Sequence, residues 1–285
     1  MSSRRAVHAG TSAGRRSLQR TLAYLLLLLL TLGTLFPFYW LLQMSLKTGF
    51  AMFEMPPRLI FTPSLENYHA VLSREFIASF SNSTVASLST TVLSLIFGVP
   101  AAYGLARTRF RGEGLISFWV LGTRMAPPVA FAIPFFLAYM RLDLLDTIQG
   151  LVLVYLTVNL SLVMWMMRAY FEGLPRSLEE AAFIDGASVT QTFLRITLPL
   201  SAPGLATTAI FCFLLSWNDF FYALVLTSSK AVTAPVAIVN FMGYMGTEWG
   251  KITAGGTLIM LPVVAFSFAV RKYLIRGLTA GAVKG

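Results

Sequence analysis

The sequence predicts an all-α integral membrane protein with six transmembrane helices and a polar loop between the fourth and fifth of them. Hydrophobic residues make up 56% of the 285 residues, charged residues only 12%, and the mean hydropathy is +0.71. A soluble domain carries about 25% charged residues and could not cover a core this apolar. Six stretches reach the ~20 apolar residues that a helix needs to cross a bilayer. These observations exclude an ordinary soluble fold.

The spans can be placed along the chain from its apolar runs. The first run is preceded by arginines, but it is longer than the ~7–15 residue core of a secretory signal, so we expect a retained anchor. Pro127, Pro128 and Pro134 should kink the third span. We expect a basic N-terminal tail over residues 1–20, a six-helix membrane domain over 21–276 with spans at about 21–46, 78–106, 115–140, 147–168, 202–228 and 253–272, a polar loop over 172–201, and a C-terminal tail over 277–285.

The distribution of positive charge predicts the orientation of these spans. Fifteen of the 22 Lys and Arg residues flank the spans on the side that holds both termini and the 172–201 loop, and six lie on the other side. Cytoplasmic loops of membrane proteins carry such an excess, so we expect both termini and this loop to be cytoplasmic. The net charge of +10 therefore indicates membrane topology. Nucleic acid is excluded as a partner, because no basic groove with interleaved aromatic residues accompanies the charge.

The loop between spans four and five contains the segment SLEEAAFIDGASVTQTFLRITLP, residues 177–199. Ser177 and Glu180 fit a capping box that would begin a short helix, and Gly186 would end it. Ser188 and Gln191 fit a second capping box. A second helix should continue to about Leu198, where prolines end it. One face of the first helix should carry Leu178, Ala181, Ala182 and Asp185.

Two surfaces could receive this short helix. An amphipathic helix on lipid headgroups normally carries Lys and Arg on its polar face, whereas this one carries Glu179, Glu180 and Asp185. Adjacent alanines also allow another backbone to approach closely. The residues therefore favour docking into a groove of another protein.

The segment also resembles a known family signature. Glu180-Ala181-Ala182, Gly186, Ile196 and Leu198-Pro199 match the fixed positions of the "EAA" loop in permeases of binding-protein-dependent ABC importers. The longer EAAFIDGAS, the motifs RMAPPVAFAIPFF, SWNDFF and TEWGKITAG, and the C-terminus RKYLIRGLTAGAVKG resemble the carbohydrate branch, of maltose (MalG-like) type. The resemblance covers nearly the whole chain and implies a type I importer permease.

The resemblance implies roles for individual residues. The 177–185 helix would be the coupling helix, which sits in a cleft of a cytoplasmic ATPase, with Glu180 making polar contacts there; a purely local capping role for Glu180 remains open. Gly277, Gly281 and Lys284 would reach between the ATPase subunits, or else form an unstructured end. The full set expected to dock on the ATPase is Glu179, Glu180, Ala181, Ala182, Asp185, Gly186 and Ala187.

The chain itself offers no catalytic or metal-binding pattern. The nearest approach to a phosphate-binding loop, Gly246 to Lys251, has the wrong glycine spacing, and His8 and His69 lie far apart. We therefore expect no cofactor on this chain and no catalytic residue. The resemblance implies ATP and Mg on two ABC ATPase subunits, a sister permease forming a heterodimer, and an extracytoplasmic solute-binding protein.

Five polar or aromatic residues inside the predicted spans are candidates for the solute pathway. Ionisable groups within a membrane usually face a cavity or a partner, because burying them in lipid costs roughly 2.5–3.5 kcal/mol. Each candidate could instead hold the helices together. The five are Arg124, Asn159, Trp217, Asn218 and Asp219.

The function that the sequence supports is that of the membrane-embedded half of a sugar or polyol importer. Import of another solute, such as glycerol phosphate, through the same architecture is the first alternative. A membrane enzyme would need clustered ionisable residues within the spans, and a structural scaffold would need no coupling loop.

Overall fold

The computed structural model describes residues 5–109, 111–243 and 246–282, and these residues are mostly helical. Helices in the first half of the chain are α1 (Arg5–Ser45), α2 (Glu66–Val71), α3 (Arg74–Arg107), α4 (Glu113–Met125), α5 (Ala132–Arg141) and α6 (Ile148–Glu172). Those in the second half are α7 (Ser177–Ile184), α8 (Val189–Thr192), α9 (Leu198–Leu200), α10 (Ala202–Trp217), α11 (Phe221–Leu226), α12 (Ala234–Ala237) and α13 (Trp249–Ala282). Short 3-10 helices cover Gly49–Met52, Pro128–Phe131 and Ile238–Phe241, a π-helical turn covers Phe193–Thr197, and β1 (Met242–Gly243) pairs antiparallel with β2 (Gly246–Thr247).

The described helices support six membrane spans. Four helices, α1, α3, α6 and α13, each contain a stretch that is long and apolar enough to cross a bilayer. Two bent pairs also qualify, the helices on either side of the 125–128 break and those on either side of Ser201. The number of spans reaches six when each pair counts as one.

Two predicted spans differ from the observed helices in continuity. The third is broken where α4 ends and Pro128 begins a 3-10 helix, and the two halves meet at 95°. The prediction that prolines disturb this span is confirmed, because proline cannot donate the backbone hydrogen bond that a helix requires. The fifth was expected as one helix over 202–228, but α10 ends at Trp217 and α11 starts only at Phe221.

The last helix is longer than the sequence indicated. The sixth span was predicted to end near residue 272, with a tail from 277. Helix α13 instead continues through Gly277 and Gly281 to Ala282. Lys284 lies outside the described residues.

One compact unit comprises residues up to 70 together with 248–257. Within it, the side chain of Asn67 donates to the backbone carbonyls of Ser45 (3.0 Å) and Lys47 (2.7 Å), and the Ser45 hydroxyl lies 2.7 Å from the Tyr68 phenol. These bonds fix α2 against the end of α1.

The second unit comprises residues 71–247 and 258 onwards, and its core lies between α3, α6 and α10. Helix α3 approaches α6 closely at Gly98, where an added Cβ would lie 2.7 Å from the Cγ1 atom of Val163. Small residues at such a crossing let two membrane helices pack backbone to backbone. Cys212 is buried in the same core, as the sequence predicted for a small apolar side chain.

Asp146 ties the loop before α6 to the loop after α11. Its carboxylate accepts hydrogen bonds from the backbone N–H groups of residues 228–231 and from the Ser229 hydroxyl, at 2.9–3.2 Å. Burial alone would raise the pKa of Asp146, but these N–H donors outweigh it and hold the pKa well below its ordinary value. The backbone N–H groups of the loop after α11 therefore surround the carboxylate of Asp146.

Candidate functional site: the 172–201 loop

The polar loop leaves α6 through Pro175 and forms the eight-residue helix α7. The predicted capping box at Ser177 is wrong. Arg176 already has helical backbone angles (φ −65°, ψ −27°), and its carbonyl accepts from the N–H groups of Glu179 and Glu180, both at 3.0 Å. Ser177 consequently lies inside the first turn and makes no capping bond.

The end of α7 and the start of α8 follow the sequence prediction. Gly186 has a φ of +84°, a left-handed conformation that an L side chain rarely adopts. The Ser188 hydroxyl accepts from the Gln191 N–H (3.3 Å), and the Gln191 side-chain oxygen accepts from the Ser188 N–H (2.9 Å). The second capping box is therefore confirmed. Together these features turn the chain sharply between the two helices.

One side of α7 faces the protein. Glu179 is 6% exposed, and Ala182 beside it is also buried. The Glu179 carboxylate accepts from Arg107 Nε at 3.0 Å to each oxygen, from the Thr197 hydroxyl at 2.9 Å and from the Tyr103 phenol at 3.4 Å. Of the seven residues predicted to dock on another protein, these two are directed inward.

The rest of the surface of α7 is exposed and largely apolar. Ile184 is 87% exposed, Leu178 44% and Phe183 43%, and Glu180, Ala181 and Asp185 are exposed among them. A patch that combines projecting apolar side chains with carboxylates suits a protein groove better than an anionic lipid surface. The remaining two predicted docking residues, Gly186 and the half-buried Ala187, extend this surface past the turn.

A π-helical turn connects the loop to the following span. Residues Phe193–Thr197 take this widened form, and the helix then bends by 77° around Ser201 before α10 begins. The Ser201 hydroxyl donates to the carbonyl of Thr197 at 2.7 Å. Single π-helical turns occur frequently at functional sites. This turn carries Thr197, one of the groups that hold Glu179.

Two of the five candidates for the solute pathway are buried between helices of this chain. The Asn159 amide, 1% exposed, donates to the Ser216 hydroxyl at 3.0 Å and joins α6 to α10. The Trp217 indole is equally buried and donates to the carbonyl of Ile259 at 3.1 Å. Both side chains hold helices together.

The other three candidates lie closer to solvent-accessible surface. Asn218 and Asp219 occupy the break between α10 and α11, where Asn218 is exposed and Asp219 accepts from the N–H of Ala223 at 3.2 Å. Arg124 is exposed near the end of α4. These three residues are not brought together with the 172–201 loop.

The buried partners of Glu179 were missed from the sequence. Arg107 is separated from Glu179 by 72 residues, and Tyr103 by 76. The only available signal was that Arg107 stands at the end of an uncharged span and needs a partner if it is buried. No local pattern indicates which carboxylate provides it.

Two transport permeases and one solved transporter structure are similar to this chain over most of its length. The trehalose transport system permease protein SugB of Mycobacterium tuberculosis is 38% identical over 256 residues, which cover 88% of this chain and 93% of that protein. The trehalose/maltose transport system permease protein MalG of Thermococcus litoralis is 36% identical over 273 residues, covering 94% and 98%. A bacterial ABC transporter involved in the import of the acidic polysaccharide alginate has a chain that matches this fold with a TM-score of 0.74 at 29% identity, covering 90% of this chain and 96% of that one.

The family match identifies the class of molecule. Residues 94–280 match the family described as binding-protein-dependent transport system inner membrane component, and this range includes α7, the π-helical turn and α10. Members are transporter components and not ATPases themselves. The chain therefore belongs to the family of inner membrane components of binding-protein-dependent transport systems, the ABC importer permeases.

Proposed function

We propose that this chain forms half of the membrane pathway of a sugar or polyol importer and docks on a separate cytoplasmic ATPase through the exposed side of α7. The observation that carries this proposal is that α7, fixed inside the protein through Glu179 and Ala182, leaves apolar side chains exposed around the rest of its surface, namely Leu178, Phe183 and Ile184. A helix held in this way can transmit a displacement. The similarity to permeases named for trehalose and maltose supports a carbohydrate as the solute.

The docking contact would combine shape with charge. The projecting Ile184 side chain would enter an apolar part of the ATPase cleft, and Glu180 and Asp185 would meet basic groups at its rim. Ala181 allows the two backbones to approach closely. Gly186 and Ala187 would complete the surface, whereas Glu179 and Ala182 would act from inside.

The energy would come from ATP and Mg bound by two ATPase subunits, with no cofactor on this chain. Closure of the ATPase pair would move α7, and the spans would expose their cavity first to one side of the membrane and then to the other. Such a switch requires that ATP and the loaded binding protein each bind one state more tightly than the other. A related sister permease would supply the other half of the pathway.

The membrane is expected to be the inner membrane of a bacterial or archaeal cell, with both termini in the cytoplasm. The asymmetry of Lys and Arg supports this orientation. This orientation would put the C-terminal end of α13, with Gly277 and Gly281, on the same side of the membrane as α7. There the tail through Lys284 would contact the ATPase.

Within the pathway, Asn218, Asp219 and Arg124 are the candidates for contact with solute. A break in a membrane helix exposes backbone and side-chain polar groups that can bind hydroxyls, and Asn218 and Asp219 occupy such a break. Glycerol phosphate remains the principal alternative solute, because a cationic Arg124 could pair with a phosphate.

The proposal is tested by assembling the chain with its ATPase, sister permease and binding protein in proteoliposomes. ATP hydrolysis should rise when the binding protein is loaded with trehalose, the probe suggested by the relatives. Glu180→Gln should weaken the ATPase contact, whereas Glu172→Gln, a half-exposed carboxylate at the end of α6, should leave it unchanged. The proposal would be contradicted if no loaded binding protein raised the rate of ATP hydrolysis. It would also be contradicted if Glu180→Gln and Glu172→Gln weakened ATPase binding equally.

A further inference from the structure

Glu179 and Arg107 form an ion pair that is shielded from solvent. Arg107 Nε lies 3.0 Å from both carboxylate oxygens, and each side chain is only 9% exposed. Removing two charges from water is costly, and an apolar pair of similar size often stabilises a protein equally well. The pair is therefore weak evidence for stability, but it does hold the helices that carry it at a fixed distance.

The pair stands where four segments of the chain meet. Arg107 and Tyr103 belong to the end of α3, Glu179 to α7, and Thr197 to the π-helical turn that leads into α10. The Tyr103 ring also packs on Phe193 of the π-helical turn, at 4.8 Å between ring centroids, and on Phe171 at the end of α6, at 5.6 Å. All four segments are thus attached to one another around the Glu179 carboxylate.

Adjacent glutamates on α7 have opposite surroundings. Glu179 has its carboxylate bonded to three side chains of its own chain, whereas Glu180 is exposed on the docking side. Successive residues of a helix point about 100° apart, so one of the two side chains can face the interior of the chain while the next faces outward. Their roles must differ.

We propose that Glu179 is a positioning residue that locks α7 to α3 and to the π-helical turn that leads into α10, so that α7 and α10 move together when the ATPase displaces α7. This inference rests on the proposed function. Glu179 itself makes no contact with the ATPase. Its carboxylate converts the motion of a surface helix into motion of two membrane spans.

Two spin labels on this chain can measure whether α7 and α10 move together, and the solute need not be known for this measurement. Ser177→Cys places a label on the exposed first turn of α7, outside the residues proposed to dock, and Leu215→Cys places one on the exposed side of α10; the native Cys212 is buried and should not react. The distance between the labels is measured in the assembled complex, without nucleotide and after trapping with ATP and vanadate. In the wild-type chain this distance should be narrow and the same in both states.

Breaking the lock should uncouple the two labels while the complex stays assembled. In Glu179→Gln the distance should broaden and should change on trapping, because α7 follows the ATPase and α10 lags. ATPase binding should stay close to that of the wild type. Glu180→Gln should do the reverse, keeping the distance narrow but weakening ATPase binding about tenfold, the loss expected for one charge-assisted hydrogen bond.

A double variant separates positioning from stability. Glu179→Gln alone leaves Arg107 as a buried unpaired charge and should lower the unfolding temperature. Glu179→Gln with Arg107→Gln removes both charges and should restore that temperature, yet the label distance should still broaden. Arg168→Gln breaks another ion pair, the one that joins α4 to α6 through Glu113 at 2.6 Å, and should leave the α7–α10 distance unchanged.

Three results would overturn the inference. The first is a distance in the double variant as narrow and constant as in the wild type, and the second is a loss of ATPase binding in Glu179→Gln equal to that in Glu180→Gln. The third is the same broadening in Arg168→Gln, which would indicate general loosening. If the wild-type chain binds no ATPase at all, the proposed function fails as a whole, which is a distinct outcome.

Discussion

Gly98 lies where α3 and α6 come closest, and its replacement by alanine measures how tightly these spans are packed. The added Cβ would lie 2.7 Å from Cγ1 and 2.9 Å from Cβ of Val163, which is itself fully buried. Carbon atoms in contact prefer about 3.5–4.0 Å, so the helices must separate by roughly 1 Å or distort. Overpacking of this kind costs about 1–3 kcal/mol, against which alanine regains up to ~1 kcal/mol of helix propensity.

The matched control is Gly104→Ala on the same helix, where nothing lies within 4 Å of the added Cβ. That variant keeps the gain in propensity without the clash. Thermal unfolding in detergent should therefore rank Gly104→Ala at or above the wild type and Gly98→Ala below it, with the two variants separated by about 1–3 kcal/mol.

Val163→Ala provides the rescue. Alone it destabilises, because it leaves a small cavity. Combined with Gly98→Ala it removes the nearer clashing atom, Cγ1, and leaves only the Cβ contact at 2.9 Å, so the double variant should be more stable than the sum of the single effects. Equal unfolding temperatures for Gly98→Ala and Gly104→Ala would refute the packing described for α3 and α6.

Three further predictions concern loops. Asp146→Asn should loosen the loop after α11, seen as weaker protection from hydrogen exchange at residues 228–231. Because the folded pKa is depressed, the wild-type stabilisation is present above the unfolded pKa of about 3.9 and is lost progressively as pH falls from there through the folded pKa, whereas the protection in the variant, corrected for the intrinsic pH dependence of exchange, should not change across that range. Ser188→Ala should lower stability by about 1 kcal/mol, since it removes one half of an intact capping box, and an unchanged unfolding temperature would contradict this. Gly186→Ala forces an L side chain into a left-handed conformation, should cost about 1–2 kcal/mol, and should weaken ATPase binding more than Ser188→Ala does; the reverse order would argue against a role for this turn in docking.

The spans could be predicted from the sequence because each depends on a local property, a run of apolar residues long enough to cross a bilayer. The proline break in the third span is equally local. The break between α10 and α11 was missed, since the apolar run continues on both sides of Asn218 and Asp219 and hydropathy does not register a helix that stops and restarts.

The division of α7 into an inward and an outward side depends on residues distant in the sequence. Ser177 and Glu180 match the capping-box pattern, yet Arg176 occupies the N-cap position and Glu180 remains exposed. The side of α7 that faces inward is determined by contacts of Glu179 with Arg107 and Tyr103, more than 70 residues earlier, and with Thr197 on the π-helical turn. A local pattern cannot distinguish Glu179 from Glu180 when a nonlocal cation decides between them.

Contact between α7 and a separate ATPase is measured most directly by crosslinking from Ile184→Cys in the assembled membrane complex. The side chain is 87% exposed, and the chain's single native cysteine is buried. Phe118→Cys on the exposed side of α4 is the control. We expect a short thiol crosslinker to join Ile184→Cys, and not Phe118→Cys, to the ATPase. Crosslinking of Ile184→Cys only to lipid or to its own chain would contradict the docking of α7.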